Sequence, residues 1–253
     1  MQVHTVATTL RTVPRGAYIL GAILAGLSFG SWLVVANANM PMAGMLDPSA
    51  LLLFTAIWGI GMVAMMFPSL IPMIYTITVA ARKKLEEDGG VGRFQQRAVS
   101  LPASLFILGY VAIWTAVGVV FYLVIAVLAQ VGFSVVGSLG FWAGLIIVLT
   151  GLYQFSGFKS RALMKCRSPL SFIMMRWKNG NHGAATMGVD YGMFCTKCCW
   201  VLMAGLLTVG AMSIPLMGVF SIIIFAEKVG PFGPAISKLV GAAFLVTGIL
   251  LIL

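Results

Sequence analysis

Three cysteines lie close together within one apolar stretch of the chain, residues 187–213. Cys195, Cys198 and Cys199 are spaced i, i+3 and i+4, which places all three thiols on one face of a helix. Clustered thiols are soft ligands for Cu(I), zinc or an iron–sulfur centre, and they also form reactive dithiols. The alternative is simple packing, because cysteine is small and readily buried. The stretch therefore indicates a thiol site for a soft metal or for redox chemistry, but it does not indicate a particular reaction.

Further candidate ligands lie outside this stretch. Cys166 and His182 belong to the basic segment that precedes it. The loop 39–48 adds three thioethers, those of Met40, Met42 and Met45. Thioethers bind Cu(I), although methionine is also an ordinary packing residue. The cysteine spacing matches neither a zinc ribbon nor a ferredoxin, so it does not specify the metal, and Cu(I) and zinc are both candidates.

A second group of methionines recurs at helical spacing in the second apolar run. These are Met62, Met65 and Met66. Their spacing favours packing in the core over metal binding, because methionine fills irregular gaps between helices.

Ionisable side chains also occur inside apolar runs, where they are costly and usually paired. Asp190 and Lys197 lie roughly opposite the thiols on the same predicted helix. A hairpin about Ser213 brings Glu227 within one turn of Lys197, so either acid is a candidate partner for this lysine. An ion pair and a proton path are both open interpretations.

The composition places the chain in a membrane. Of 253 residues, 60% are hydrophobic and 9% are charged, whereas a soluble domain has about 25% charged residues. Several apolar runs exceed the roughly 18 residues that a membrane-spanning helix needs. We therefore predict an all-α, polytopic bundle, in which the net charge of +10 reflects basic loops and not nucleic-acid binding. The apolar run after residue 16 is too long for a signal peptide.

The apolar runs predict about seven spans, with six spans and a half-helix as the alternative. They are residues 17–38, 49–81, 102–130, 138–157, 187–213, 215–226 and 236–253. The sixth is short, and Glu227 and Lys228 close it. Residues 1–16 form an arm before a single bundle domain, 17–253. Pro68 and Pro72 are expected to kink the second span, and Gly26 and Gly30 to allow close approach of a neighbouring helix.

Lysines and arginines concentrate in the arm and in the segments after the second, fourth and sixth spans. The positive-inside rule then predicts an inner-membrane protein with its N-terminus in the cytoplasm and its C-terminus outside. Cysteines in such a setting do not indicate a disulfide scaffold.

Three segments carry a resemblance to a known family. They are WGIGMVAMMFPSLIP (58–72), YQFSGFKSRALMKCRSP (153–169) and GMFCTKCCWVLM (192–203), the last running on to Glu227 and Lys228. With its AMMxP and CxxCCW motifs, the chain resembles an uncharacterised bacterial family of predicted metal-binding integral membrane proteins. The resemblance covers most of the chain from the second span onward, and it implies a metal-handling role.

The chain departs from that family at four positions. The family tends to have Cys, His, Gly and Asn where this chain has Ala162, Tyr191, Lys197 and Ser213. Two of these changes remove candidate ligands. They indicate a diverged member that is retained for its architecture, such as an extra subunit of a larger membrane complex.

Two functions follow from these patterns. The first is a copper-leaning metal-handling protein that serves a membrane metalloenzyme as an accessory subunit. The second is a structural subunit that packs against other membrane proteins without a metal of its own. A thiol redox relay and a transporter are weaker alternatives. No Walker motif or catalytic triad is present, and with only two histidines the chain is not expected to be catalytic by itself.

Overall fold

The chain folds into α-helices. The computed structural model describes residues 15–38, 47–87, 95–130, 141–210 and 213–253, and within these ranges it contains no strand. The helices are α1 (Arg15–Asn37), α2 (Pro48–Glu87), α3 (Gln95–Gln130), α4 (Phe141–Gln154), α5 (Gly157–Arg167), α6 (Pro169–Arg176), α7 (Gly180–Gly210), α8 (Ile214–Val229) and α9 (Gly233–Ile252). The predicted all-α fold is confirmed. Most of the predicted N-terminal arm lies outside the described residues.

Fewer of the described helices have the length and hydropathy of a membrane span than the seven predicted. Five described helices are long and apolar enough to cross a bilayer, namely α1, α2, α3, α7 and α9. The pair α4 and α5 qualifies as a sixth span only when taken together, and it is bent by 63°. With 16 residues, α8 is about 24 Å long, which is shorter than the roughly 30 Å hydrocarbon core. The described helices thus give five or six candidate spans, and the length of α8 suits the alternative of a half-helix.

The thiol-bearing helix α7 lies at the centre of the bundle. About 67% of its apolar window is buried inside the protein, against 50% for α2 and 22% for α1, α3 and α9. Its most extensive packing is against α3, and it also contacts α4, α5 and α8. The outer helices keep apolar faces that suit contact with lipid. The cysteines of α7 are therefore enclosed by other helices.

The start of α2 is fixed by a local capping arrangement. The Asp47 carboxylate accepts hydrogen bonds from the Ser49 hydroxyl at 2.6 Å and from the Ser49 backbone N–H at 3.1 Å. These bonds hold the pKa of Asp47 below its usual range. Pro48 then occupies the first helical position, where its missing N–H costs nothing.

The second helix remains continuous through both of its prolines. Pro68 has no N–H to donate to the carbonyl of Ala64, one turn earlier. The hydroxyl of Ser28 in α1 donates to that carbonyl instead, at 2.7 Å. A hydrogen bond between helices thus replaces the missing one within α2, as membrane helices require.

Glycines bring α3 and α7 into backbone contact. A Cβ atom on Gly188 would collide with the carbonyl oxygen of Phe106, and one on Gly109 would collide with that of Ala185. Both clashing atoms belong to the backbone, so a change of side-chain rotamer cannot relieve the clash. Gly144 and Gly248 play the same part between α4 and α9.

Gly26 and Gly30 do not form the close contact that their spacing predicted. Nothing in the described part of the chain lies within 4 Å of a Cβ atom built on either residue. A small-residue spacing shows that a helix can be approached closely, but it does not show which face meets a neighbour.

Replacing Gly188 with Ala should destabilise the bundle by about 1–3 kcal/mol, because the added methyl group overpacks the contact with Phe106. The matched control is Gly26→Ala, which fills open space and gains helix propensity, so it should be neutral or slightly stabilising. Equilibrium unfolding in mixed detergent micelles measures both. Equal effects of the two substitutions would contradict the packing described here.

Candidate metal centre

All four cysteines are buried, and none takes part in a disulfide. Helix α7 supplies Cys195, Cys198 and Cys199, and the last turn of α5 supplies Cys166. Their side chains contact one another in the order Cys166, Cys198, Cys199, Cys195. The structure therefore brings together the four cysteines that the sequence singled out.

The bend between α4 and α5 places Cys166 in this group. Ser156 caps α5, accepting a hydrogen bond from the backbone N–H of Lys159 at 3.1 Å. After the 63° bend, α5 runs against α7. The hydroxyl of Tyr191 donates to the carbonyl of Cys166 at 3.2 Å. Tyr191 thus positions the α5 end beside the thiols of α7.

Cys195 is the point on which four helices converge. The Nζ atom of Lys228, from α8, lies 2.8 Å from the Cys195 sulfur and 3.6 Å from the Met66 sulfur of α2. The hydroxyl of Tyr110, from α3, lies 3.0 Å from the same Cys195 sulfur. An ammonium and a phenol therefore contact one thiol in the interior, and a thioether contacts the same ammonium.

A buried ion pair lies beside this group. Lys159 and Glu227 pair at 2.9 Å, with side chains 1% and 0% exposed. Lys159 also donates to the side-chain oxygen of Gln154, and Ser237 donates to the same oxygen at 3.1 Å. Arg167 donates to the backbone carbonyl of Glu227 at 2.5 Å. The network joins α4, α5, α8 and α9 where α8 presents Lys228 to Cys195.

The structure gives both predicted partners of Lys197 other cations. Glu227 pairs with Lys159, and Asp190 lies 3.5 Å from Arg176 and 3.4 Å from Lys178 near the surface. The backbone carbonyl of Lys197 accepts a hydrogen bond from the hydroxyl of Tyr153. The prediction that Lys197 pairs with Asp190 or Glu227 is therefore wrong.

The other candidate ligands fall outside the thiol group. His182 is exposed on the first turn of α7, about 20 Å along the helix axis from Cys195. The methionines of the loop lie outside the described residues; they are Met40, Met42 and Met45. In the methionine stripe of α2 all three side chains are buried, and Met66 alone among them reaches Lys228.

Sequence reasoning did not place Lys228 or Tyr110 in this site. Lys228 was expected to close the sixth span, yet it is buried and reaches Cys195. The position of Lys228 beside Glu227 at the end of an apolar run offered a signal, because ionisable residues within a span usually face the bundle interior. Tyr110 has no sequence signal, since it is one aromatic residue in an apolar helix.

The donor set suits a soft cation. Four buried thiols interact pairwise in an apolar interior, and the Met66 thioether lies beside Lys228. Soft sulfur ligands suit both Cu(I) and zinc, and structural zinc usually takes four ligands in a tetrahedron. In the part of the chain that the structure describes, no three His, Cys, Asp or Glu side chains already converge as a metal cage. The sulfur donors therefore suit a soft metal ion such as Cu(I) or zinc.

Comparison with known proteins agrees with this chemistry. A family model described as a copper chaperone, PpoB2, matches residues 55–251, more than three quarters of the chain. No curated protein and no solved structure matches it. The matched region includes all four cysteines, Met66 and Lys228. The chain therefore belongs to the PpoB2 copper chaperone family.

Proposed function

We propose that this protein is a membrane-embedded Cu(I) carrier that holds the ion on the buried thiols of α7. The observation that carries the proposal is the all-sulfur donor group around Cys195, with Cys199 in side-chain contact and Met66 nearby. Membership of a copper chaperone family supports copper as the cargo. The cargo binds as Cu(I) by displacing thiol protons, so no oxidation or reduction is required.

The order of thiol contacts suggests how the ion moves. Cu(I) held by Cys195 and Cys199 would exchange one thiolate for Cys198, and then move toward Cys166 at the end of α5. Each exchange replaces one sulfur ligand with another, so the number of bonds to copper is preserved. The thiols thus form a short relay from the centre of α7 to α5.

We infer that the recipient is another integral membrane protein, and that the chain serves as an accessory subunit of a membrane metalloenzyme. The apolar faces of the outer helices suit both lipid and neighbouring subunits. The basic segments favour the inner membrane, with the N-terminus in the cytoplasm and the C-terminus outside. Catalysis is not part of the proposal.

The test is the copper content of the purified full-length protein, kept reduced in mild detergent. We expect about one Cu(I) per chain, and loss of that copper when Cys195, Cys198 and Cys199 are all replaced with Ser. The control is Met62→Leu, which changes a buried sulfur that does not contact Lys228. Unchanged copper in the triple variant would overturn the proposal.

A purely structural subunit is the second candidate. It is favoured by one observation, that no three metal-binding side chains converge in the described residues. It predicts partners that co-purify in fixed ratio, no bound copper, and assembly that is unaffected by the triple Cys→Ser replacement. Copper that binds with defined stoichiometry and is lost in that variant would exclude it.

A further inference from the structure

Lys228 carries a buried charge with no carboxylate partner in the described part of the chain. Its side chain is 7% exposed. Its neighbour Glu227 is paired with Lys159, and Asp190 is paired near the surface. The polar contacts of the Lys228 ammonium are instead the sulfurs of Cys195 and Met66. Because buried charges are normally compensated, its natural counter-charge is a thiolate.

We propose that Lys228 is the counter-charge that makes the site selective for a monovalent cation. This inference rests on the proposed function. Cu(I) between two thiolates has a net charge of −1, which the ammonium of Lys228 neutralises. A divalent ion between two thiolates is already neutral, so Lys228 leaves an excess positive charge in an apolar interior, where it is costly.

The arrangement of the thiols disfavours a second neutral combination of charges. A divalent ion with three thiolates would also be balanced by Lys228. That arrangement requires three thiols around one point, and no three such side chains converge in the described residues. Met66 can approach the ion as an additional donor without changing the charge, because a thioether is neutral. Two thiolates, one ammonium and one Cu(I) therefore form the balanced set.

The decisive variant is Lys228→Gln, which keeps a polar side chain but removes the charge. Cu(I) affinity would be measured on full-length protein in detergent by competition with a chromophoric Cu(I) chelator, and Cd²⁺ affinity would be measured in parallel. Loss of an outer-shell partner usually weakens metal binding 10- to 100-fold. We expect Cu(I) binding to weaken by about that factor, while Cd²⁺ binding stays constant or tightens.

The matched control is Lys197→Gln, which removes a charge from α7 next to Cys198 and leaves the sulfurs unchanged. It should bind both metals like the wild type. If Lys228→Gln binds Cu(I) as tightly as the wild type, with the same preference over Cd²⁺, the counter-charge role is wrong while the copper site stands. If the wild type binds no Cu(I), the proposed function and this inference both fail.

X-ray absorption on the copper-loaded wild type tests the inference even if Lys228→Gln does not fold. Two short Cu–S bonds, with or without a longer thioether contact, are expected. Three equivalent thiolate bonds would overturn the inference, because the ammonium of Lys228 would then leave a net negative charge.

Discussion

Replacing Lys159 with Met is expected to destabilise the protein by about 3–5 kcal/mol, the usual cost of removing one partner of a buried ion pair. The substitution leaves the Glu227 carboxylate, which is 0% exposed, without a cation in an apolar interior. It also removes the donor that Lys159 supplies to Gln154. Equilibrium unfolding in mixed detergent micelles would measure the loss.

A double replacement separates the stability that the Lys159–Glu227 ion pair contributes from the cost of leaving the Glu227 charge unpaired. Lys159→Met combined with Glu227→Gln removes both charges, and buried pairs replaced in this way often lose little stability. Most of the loss should therefore be recovered. Asp190→Asn is the control for a surface pair, since Arg176 and Lys178 are about half exposed; it should cost under about 1 kcal/mol. A Lys159→Met loss no larger than that control would show that the pair is not buried in solution.

The same variant links stability to the site. Glu227 precedes Lys228 in α8, and Arg167 holds the Glu227 carbonyl at 2.5 Å. When the Glu227 side chain loses its cation, the last turn of α8 loses an anchor at the place where Lys228 reaches Cys195. Lys159→Met should therefore weaken copper binding as well, although less than a direct change at Lys228.

The parts of this structure that sequence predicted are those set by local pattern. Long apolar runs require helices in a bilayer, and the spacing of Cys195, Cys198 and Cys199 places them on one face of any helix. Both inferences need only neighbouring residues. The half-helix alternative for α8 follows from its length in the same way.

The parts of the structure that could not be predicted from the sequence depend on which helix faces pack against each other. Lys159 belongs to the basic segment after the fourth predicted span, for which the positive-inside rule predicts a place at the membrane surface, but the capped start of α5 after the bend turns it inward toward Glu227. Met66 belongs to a stripe interpreted as core packing, and only the approach of α8 brings Lys228 to its sulfur. Such contacts have no local signature, because they join segments that are far apart in the chain.

Replacing Cys195 with Ser is expected to weaken Cu(I) binding more than any other single cysteine replacement. Loss of an outer-shell partner costs 10- to 100-fold, so loss of a direct ligand should exceed about 100-fold, equivalent to about 2.7 kcal/mol. Cys195 is the thiol that Lys228 and Tyr110 both contact, at 2.8 and 3.0 Å. Competition with a chromophoric Cu(I) chelator under reducing conditions gives the affinity.

The matched variant is Cys166→Ser, which changes an equally buried thiol at the far end of the contact order. Cys166 interacts with Cys198, whereas the hydrogen bonds of Lys228 in the described part of the chain go to Cys195 and Met66. Its loss should change Cu(I) affinity by less than about tenfold, below the range for outer-shell partners of the ion. It should instead slow transfer of copper to an acceptor chelator, because the relay then lacks its last thiol.

The pair of variants decides between two forms of the site. If Cys195→Ser weakens Cu(I) binding strongly and Cys166→Ser does not, copper is bound between Cys195 and Cys199. Lys228 then neutralises this complex, and Cys166 takes part only in the transfer of copper. If both weaken binding equally, the ion is shared over the whole thiol group, and the neutral two-thiolate set loses its basis. Lys228 would then compensate a larger cluster, and the selectivity for a monovalent cation would have to come from sulfur softness alone.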